Sequence, residues 1–161
     1  MDDALRKTLH RDTLAVREAV ERSHHGENSE ALYLTSGYVQ RSAESAAQRF
    51  AGDEDGFTYG RYGNPTTASM EQRLAALEGT EACMATASGM SAILLMCLGL
   101  LKAGDHVVCS RSMFGSTIKL IGSDLAKFGV ESSFVAQADL AEWKAAIKPH
   151  TRLLFAETPT N

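Results

Sequence analysis

The stretch from residue 82 to residue 101 constrains the fold of this chain most strongly. Residues 82–86 are of strand type, the small residues Ala87–Gly89 follow, and an almost wholly apolar run then reaches Leu101. This pattern predicts a strand, a tight turn and a buried helix. The first N–H groups of a helix have no intrahelical partner and lie at the positive end of the helix dipole, so such a corner can hold an anion. The alternative is a plain helix start without a ligand.

Charge and hydropathy exclude several other classes of protein. Lys and Arg number 16 against 20 Asp and Glu, a net charge of −4 with both signs interspersed, so a nucleic-acid partner is not expected. The apolar run from Ala92 is interrupted by Gly99 and is too short to span a bilayer. Residues 1–7 are charged and lack the apolar core of a secretory signal, so we expect a cytoplasmic protein without a membrane partner.

The cysteines and histidines give no sign of a metal site. The cysteines lie in apolar strand or helix patterns without CxxC spacing, and the histidines form no HExxH motif. We interpret Cys83, Cys97 and Cys109 as small core residues.

The residues up to about 60 have little core of their own. A helix capped by Ser42 and ended by Gly52 is the clearest element there, and the remainder is mostly polar. This part is predicted to be an arm that needs another surface. A second helix, with the apolar stripe Met70, Leu74 and Leu77, is predicted to end at Gly79.

After the central stretch, strands and helices alternate. The hydrophobic pattern predicts strands at 106–110, 130–136 and 152–156, separated by helices at 116–128 and 140–147. Strands separated by helices of this length indicate an α/β fold with a layered, mostly parallel sheet. Ligands of such sheets bind at the carboxyl ends of the strands, so the loops after Thr86, Ser110 and Ala156 should lie on one rim.

These three loops carry the candidate chemistry. Ser88, Gly89 and Met90 offer a phosphate site, Phe114 offers an aromatic face, and the segment Glu157–Asn161 ends in a side-chain amide. A flat, phosphorylated cofactor needs this combination. The alternatives are that Phe114 is a core aromatic and that Glu157 begins an ordinary turn after a strand. Tyr59 and Arg61, which precede the second helix, could equally belong to a solvated loop.

Three motifs together resemble one family. Tyr59–Thr66, Ala87–Ala92 and Glu157–Asn161 match, in order and spacing, the pyridoxal-phosphate (PLP) enzymes of Cys/Met metabolism, and the resemblance runs from about Asp12 to Asn161. It implies the three-layer, mostly parallel fold of the aspartate aminotransferase-like PLP transferases. On this basis residues 1–60 would be an arm at a subunit interface and 61–161 the front part of the large PLP-binding domain.

The resemblance also implies roles for single residues. Gly89 and Met90, at the corner begun by Ser88, would bind the cofactor phosphate through backbone N–H groups. Tyr59 and Arg61 would reach the phosphate of a neighbouring subunit, which requires a homo-oligomer, at least a dimer and, as in the family, a tetramer.

Three further residues would contact or orient the cofactor ring. Phe114 would stack on the ring, at a position where most relatives have Tyr. Asn161 would hydrogen-bond the ring oxygen, and Glu157 would orient that end of the site.

The Phe-Gly-Ser-Thr sequence at 114–117 most resembles the O-succinylhomoserine sulfhydrylase branch. The implied reaction replaces succinate of O-succinyl-L-homoserine by sulfide, giving homocysteine for methionine synthesis. Cystathionine γ-synthase, methionine γ-lyase and O-acetylhomoserine sulfhydrylase are the alternatives within the family. The alternative of another class is an inactive protein that only binds a subunit or a phosphorylated ligand.

The family lysine that binds the cofactor covalently stands in a Ser-x-Thr-Lys type sequence. None of the lysines present has this context, which leads us to expect that the chain is the front portion of a longer enzyme. They are Lys7, Lys102, Lys119, Lys127, Lys144 and Lys148.

Overall fold

The computed structural model describes residues 3–160 of the chain. It divides into two compact units, with the boundary between Ala85 and Thr86. Asn161, a predicted ligand of the cofactor ring, lies outside the described residues. No helix within residues 3–160 is both long enough and apolar enough to cross a membrane.

The first unit is helical. Its helices are α1 (Asp3–Arg6), α2 (Arg11–Arg17), α3 (Ala43–Ala51) and α4 (Pro65–Glu78). The predicted helix between Ser42 and Gly52 is confirmed, because the Ser42 side chain accepts a hydrogen bond from the Ser45 N–H and Gly52 ends α3 in the left-handed conformation. Helix α4 ends at Gly79, as predicted, and the structure shows that Asn64 caps its start.

This unit has a small core. Of its described hydrophobic residues only Leu14 and Ala75 are buried. The predicted apolar stripe of α4 is present, but it is not buried within the unit, since Met70 is 46% exposed and Leu74 is 40% exposed. Helical periodicity identifies a face, while the packing surface must be supplied by other residues.

The second unit is an α/β layer. Its elements are α5 (Gly89–Leu100), β1 (His106–Ser110), α6 (Gly115–Lys119), a π-helical turn (Leu120–Asp124), a 3₁₀ turn (Leu125–Phe128), β2 (Glu131–Val135), α7 (Leu140–Ala146) and β3 (Thr151–Phe155). The strands form one sheet in the order β2-β1-β3, and β1 is parallel to both neighbours. The predicted parallel α/β arrangement is thus confirmed.

Strand β1 is the centre of the second unit. All five of its residues are buried, as expected for a strand covered on both faces. Residues from β1, α5, the π-helical and 3₁₀ turns and the connecting loops form one apolar cluster: Cys97, Val107, Cys109, Met113, Ile121, Leu125 and Val130. Cys97 and Cys109 are therefore core residues, as predicted, and burial raises the pKa of the Cys109 thiol to about 12.

The segment 82–86 is not a strand. Its residues pair with no strand in the described part of the chain, and Met84 is 76% exposed. A strand needs a neighbour for its backbone groups, whereas here the Ala85 N–H donates to the Glu71 carboxylate at 2.7 Å. Cys83 is accordingly only half-buried, which corrects its interpretation as a core residue.

The predicted helix 116–128 is divided. The α-helical turn α6 gives way to the π-helical and 3₁₀ turns before Gly129 ends the segment. Gly122 lies in the π-helical turn, where a Cβ atom would lie 3.0 Å from the ring of Phe134 on β2. The missing side chain therefore lets this turn approach the sheet closely, a packing requirement that helical periodicity does not reveal.

Candidate functional site

The loops after β1 and β3 meet at the carboxyl edge of the sheet. The Glu157 carboxylate, just after β3, accepts a hydrogen bond from the Phe114 N–H at 2.7 Å and another from the Thr117 hydroxyl at 2.8 Å. Phe114 and Thr117 belong to the loop and helix start that follow β1. The prediction that these two loops share one rim is confirmed.

The start of α5 lies at the same place. The Thr117 hydroxyl is 3.9 Å from the Met90 sulfur, and Thr117 is fully buried. Since a hydroxyl has one hydrogen, the 2.8 Å contact with Glu157 is the stronger hydrogen bond and the sulfur contact is packing. The first turn of α5 is thus brought beside the two loops, although the segment before it is not a strand.

The ring of Phe114 is available to a ligand. Phe114 is 46% exposed, so the alternative that it is a core aromatic does not hold. Its backbone, in contrast, is fixed: its N–H donates to Glu157, and its carbonyl accepts hydrogen bonds from the Thr117 and Ile118 N–H groups at 2.9 and 3.1 Å. A fixed backbone with an exposed ring is suited to stacking on a flat ligand.

The N-terminus of α5 has the donors that a phosphate needs. Ser88 caps the helix, because its hydroxyl oxygen accepts a hydrogen bond from the Ser91 N–H at 3.2 Å. Within residues 3–160 the N–H groups of Gly89 and Met90 have no acceptor. A Cβ atom on Gly89 would meet nothing within 4 Å, so there is open space at this corner. These residues therefore fit the phosphate group of a bound cofactor.

A polar brace joins the neighbouring strand ends. The Ser110 hydroxyl donates to the Gln137 side-chain oxygen at 2.7 Å, and the Gln137 amide nitrogen donates to the Glu157 carbonyl at 3.2 Å. The sequence interpretation missed both Gln137 and the role of Thr117. The available signal for Gln137 was its position directly after the predicted strand 130–136, at the carboxyl edge of the parallel sheet.

An ion pair with Glu142 neutralises the charge of Arg111 next to the carboxyl edge of the sheet. Its guanidinium group binds both carboxylate oxygens of Glu142 at 2.8 and 3.0 Å and also donates to the Phe134 carbonyl. Two hydrogen bonds hold the pKa of Glu142 below its ordinary value. The larger effect comes from the Ala136 N–H and the smaller one from the Arg111 guanidinium. Arg111 therefore fixes the first residue of the Phe114 loop to α7.

Tyr59 and Arg61 lie together in the first unit. Tyr59 pairs with Gly37 in an isolated antiparallel bridge, and the Gly60 N–H donates to the Ser36 carbonyl at 2.7 Å. The Arg61 guanidinium carbon is 5.2 Å from the centre of the Tyr59 ring. The segment is thus a turn held by backbone hydrogen bonds, and both side chains are exposed to solvent.

Comparisons with known proteins identify the family. The model of the "Cys/Met metabolism PLP-dependent enzyme" family matches residues 12–161. The chain is 53% identical over 150 residues to the O-succinylhomoserine sulfhydrylase of Pseudomonas aeruginosa, covering 93% of this chain and 37% of that protein. It is 46% identical to the enzyme of the same name from Mycobacterium tuberculosis (92% and 37% covered). It is 42% identical to the L-methionine gamma-lyase of Fusobacterium nucleatum (92% and 38% covered).

A solved structure agrees in fold. A protein from Campylobacter jejuni, assigned as an O-acetylhomoserine (thiol)-lyase, superposes with a TM-score of 0.86 at 32% identity, covering 96% of this chain and 38% of that one. That structure contains N'-pyridoxyl-lysine-5'-monophosphate. The chain thus spans 37% to 38% of the length of these relatives. It belongs to the Cys/Met metabolism family of PLP-dependent enzymes, has the fold of that family, and its cofactor is pyridoxal phosphate.

Proposed function

We propose that the full-length protein carries out γ-replacement on O-succinyl-L-homoserine with sulfide, giving homocysteine. The observation that carries this proposal is the exposed Phe114 side chain at the carboxyl edge of the sheet, where the Glu157 carboxylate binds the Phe114 backbone N–H and Thr117 contacts Met90 at the start of α5. The choice of substrate is supported by the similarity to two O-succinylhomoserine sulfhydrylases, at 53% and 46% identity.

The phosphate group would be bound by the start of α5. Gly89 and Met90 would donate their N–H groups, and the capping hydroxyl of Ser88 would keep the first helical turn in place. Tyr59 and Arg61 of a neighbouring subunit would add a hydroxyl and a guanidinium, whose charge compensates the phosphate.

The ring of the cofactor would lie against the carboxyl edge of the sheet. Phe114 would cover one face and exclude water from it, and Asn161 would donate to the ring oxygen. Glu157 would act through Phe114, because its carboxylate holds the Phe114 backbone. Bound pyridoxal phosphate supplies an electron sink for the carbanions that expel the γ substituent. Phe114 lacks the hydroxyl of a tyrosine and so holds no proton at this position.

The overall change is balanced. The bond between Cγ and the ester oxygen breaks and succinate leaves, while a bond between Cγ and the sulfur of sulfide forms.

A second candidate is elimination from methionine, supported by the 42% identity to an L-methionine gamma-lyase.

The proposed assembly of the full-length enzyme is a homo-oligomer. The contact of Tyr59 and Arg61 with a neighbouring cofactor needs at least a dimer, and we propose a tetramer. Residues 1–60 would form an arm at the subunit interface. The proposal is supported by apolar side chains of this segment that stand open, since Leu34 is 93% exposed and Val39 is 98% exposed.

The test uses the full-length protein with bound cofactor. With O-succinyl-L-homoserine and sulfide we expect homocysteine and succinate in equal amounts, measured by chromatography. Parallel reactions replace sulfide by cysteine, replace the succinyl ester by the acetyl ester, or supply methionine alone. Faster formation of cystathionine, faster use of the acetyl ester, or release of methanethiol would each contradict the proposal. Absence of all these reactions would favour a protein that only binds.

A further inference from the structure

Helix α3 holds the loop that follows it through one carboxylate. Ser45 and Arg49, one turn apart on α3, both bind Glu54: the Ser45 hydroxyl lies 3.0 Å from Oε2, and the Arg49 Nε and Nη2 atoms lie 2.8 and 2.6 Å from Oε1. The Arg49 side chain is only 17% exposed. The hydrogen bonds from Arg49, and then the one from Ser45, hold the pKa of Glu54 below its ordinary value, so the ion pair is present at neutral pH.

The same arginine reaches a second segment through Gln40. The remaining Arg49 nitrogen, Nη1, donates to the Gln40 side-chain oxygen at 2.8 Å. The Gln40 amide nitrogen in turn donates to the Tyr38 carbonyl at 2.8 Å and to the Phe57 carbonyl at 3.1 Å. We call Gln40, Ser45, Arg49 and Glu54 the polar clamp. It ties together two chain segments that are 17 residues apart at Gln40 and Phe57.

These two segments carry the bridge that places Tyr59. The Tyr38 N–H donates to the Thr58 carbonyl at 3.4 Å, and the bridge pairs Gly37 with Tyr59. An isolated pair of short antiparallel segments is only marginally stable in water. The clamp therefore supplies fixed contacts next to this pairing, directly before the turn that contains Tyr59 and Arg61.

Gly56 shows how closely the chain passes the arginine. Its φ of +152° lies in a region that disfavours side chains, and a Cβ atom would lie 2.7 Å from Arg49 Nε. The loop between Glu54 and Phe57 thus runs against the guanidinium group itself.

We propose that Arg49 is a positioning residue for the cofactor. Through the polar clamp it would hold Tyr59 and Arg61 in the place from which they bind the phosphate of a neighbouring subunit. This inference rests on the proposed function of Tyr59 and Arg61. The competing explanation is that the clamp only stabilises the helix α3.

The experiment measures the affinity of the full-length apoprotein for pyridoxal phosphate, by absorbance and fluorescence titration. We expect Arg49→Met and Gln40→Met each to weaken binding about tenfold. Arg73→Met is the matched control, because Arg73 lies in the same unit, is similarly buried at 20% side-chain exposure, and also makes an ion pair and a bond to a carbonyl. Its affinity for the cofactor should be unchanged.

The decisive arm repeats Arg49→Met in a protein that already carries Tyr59→Phe and Arg61→Ala. If the clamp acts through these two residues, the additional loss of affinity should disappear. A further loss of the same size in that background, or equal losses in Arg49→Met and Arg73→Met, would overturn the inference. Gln40→Met provides the same comparison if Arg49→Met does not fold.

The variants of Tyr59 and Arg61 distinguish a failure of the proposed function from a failure of the inference about Arg49. If Tyr59→Phe and Arg61→Ala leave the affinity unchanged, the proposed function of these residues is wrong and the inference falls with it. If they weaken binding while Arg49→Met and Gln40→Met do not, only the inference is wrong.

Discussion

The two units of the chain are ordered by different interactions. The second unit has a continuous apolar cluster around β1, and Val107, Cys109 and Ile121 are completely buried in it. In the first unit, polar contacts hold distant segments together instead. The Asn64 side chain, for example, donates to the Tyr33 carbonyl at 2.8 Å, while the Tyr33 N–H donates to the Thr66 hydroxyl at 2.9 Å.

The difference separates two ways of placing a functional group. In the second unit Phe114 and Glu157 follow two strands of a sheet with a buried apolar core, and the Glu157 carboxylate then binds the Phe114 N–H across a short distance. In the first unit Tyr59 and Arg61 depend on a few polar side chains and on neighbouring turns. Single substitutions should therefore disturb the two units through different quantities: folding stability in the second, and local geometry in the first.

The largest effect is expected from Ile121→Ala. Deleting this fully buried side chain should lower the free energy of unfolding by about 3 kcal/mol, because it removes apolar contacts and leaves a cavity. Met70→Ala in α4, where the side chain is 46% exposed, should cost less than about 1 kcal/mol. Urea unfolding of the full-length variants measures both. Equal losses of unfolding free energy in the two variants would contradict this difference between the units, since they would show that Met70 is packed against another surface in the full-length protein.

Apolar burial also explains why the sequence predicted the central strand of the second unit. Strand β1 was predicted with the bounds that it has, 106–110, because an apolar run covered on both faces is visible in the sequence. The segment 82–86 has similar residues and is not a strand. Side-chain type does not reveal whether another strand lies alongside, so this prediction lacked the information that decides it.

The location of the candidate site was predictable from the sequence, but its individual hydrogen bonds were not. That Phe114 and Glu157 lie on one rim follows from the direction of parallel strands. That the Glu157 carboxylate binds the Phe114 N–H and the Thr117 hydroxyl does not, because these partners are 43 and 40 residues away in sequence. Gln137 was missed because a single hydrogen-bonding side chain leaves no periodic signal.

Loss of the Glu157 carboxylate at the sheet edge should have the next largest effect. Glu157→Ala should lower the free energy of unfolding by about 2 kcal/mol, since it leaves the buried Thr117 hydroxyl and the Phe114 N–H without an acceptor. The cofactor absorbance should shift as well, because Phe114 loses its anchor. The control is Glu131→Ala, which removes exposed ion pairs at the start of β2. A normal cofactor spectrum in Glu157→Ala would show that the second unit places Phe114 without this carboxylate.

Two serine caps of the same geometry should respond differently when their hydroxyl groups are removed. Ser42 caps α3, which has no buried residue, whereas Ser88 caps α5, which buries Cys97. Losing the cap costs about 1 kcal/mol, so Ser42→Ala should speed amide hydrogen exchange throughout α3 about fivefold. In Ser88→Ala the increase should stay within the first turn of α5, because packing holds the remainder. Hydrogen-exchange mass spectrometry of both variants decides this, and uniform loss of protection along α5 would contradict the comparison.

The smallest effect is expected from His106, at the opposite edge of the sheet. His106 is completely buried, and its ring nitrogens contact the Thr151 and Ser133 hydroxyls at 2.8 and 2.9 Å. Burial, and after it the charge of Lys148, holds the pKa of His106 below its ordinary value of 6.5.

The folded protein therefore keeps His106 neutral at a pH where the unfolded chain already binds a proton. Its contribution to stability is complete above about pH 6.5 and decreases as the pH falls through that value. Urea unfolding at a series of pH values between about 8 and 5 should show this decrease in the native protein and a shallower one in His106→Gln. An unchanged slope in His106→Gln would show that the acid sensitivity of the protein does not arise at this buried histidine.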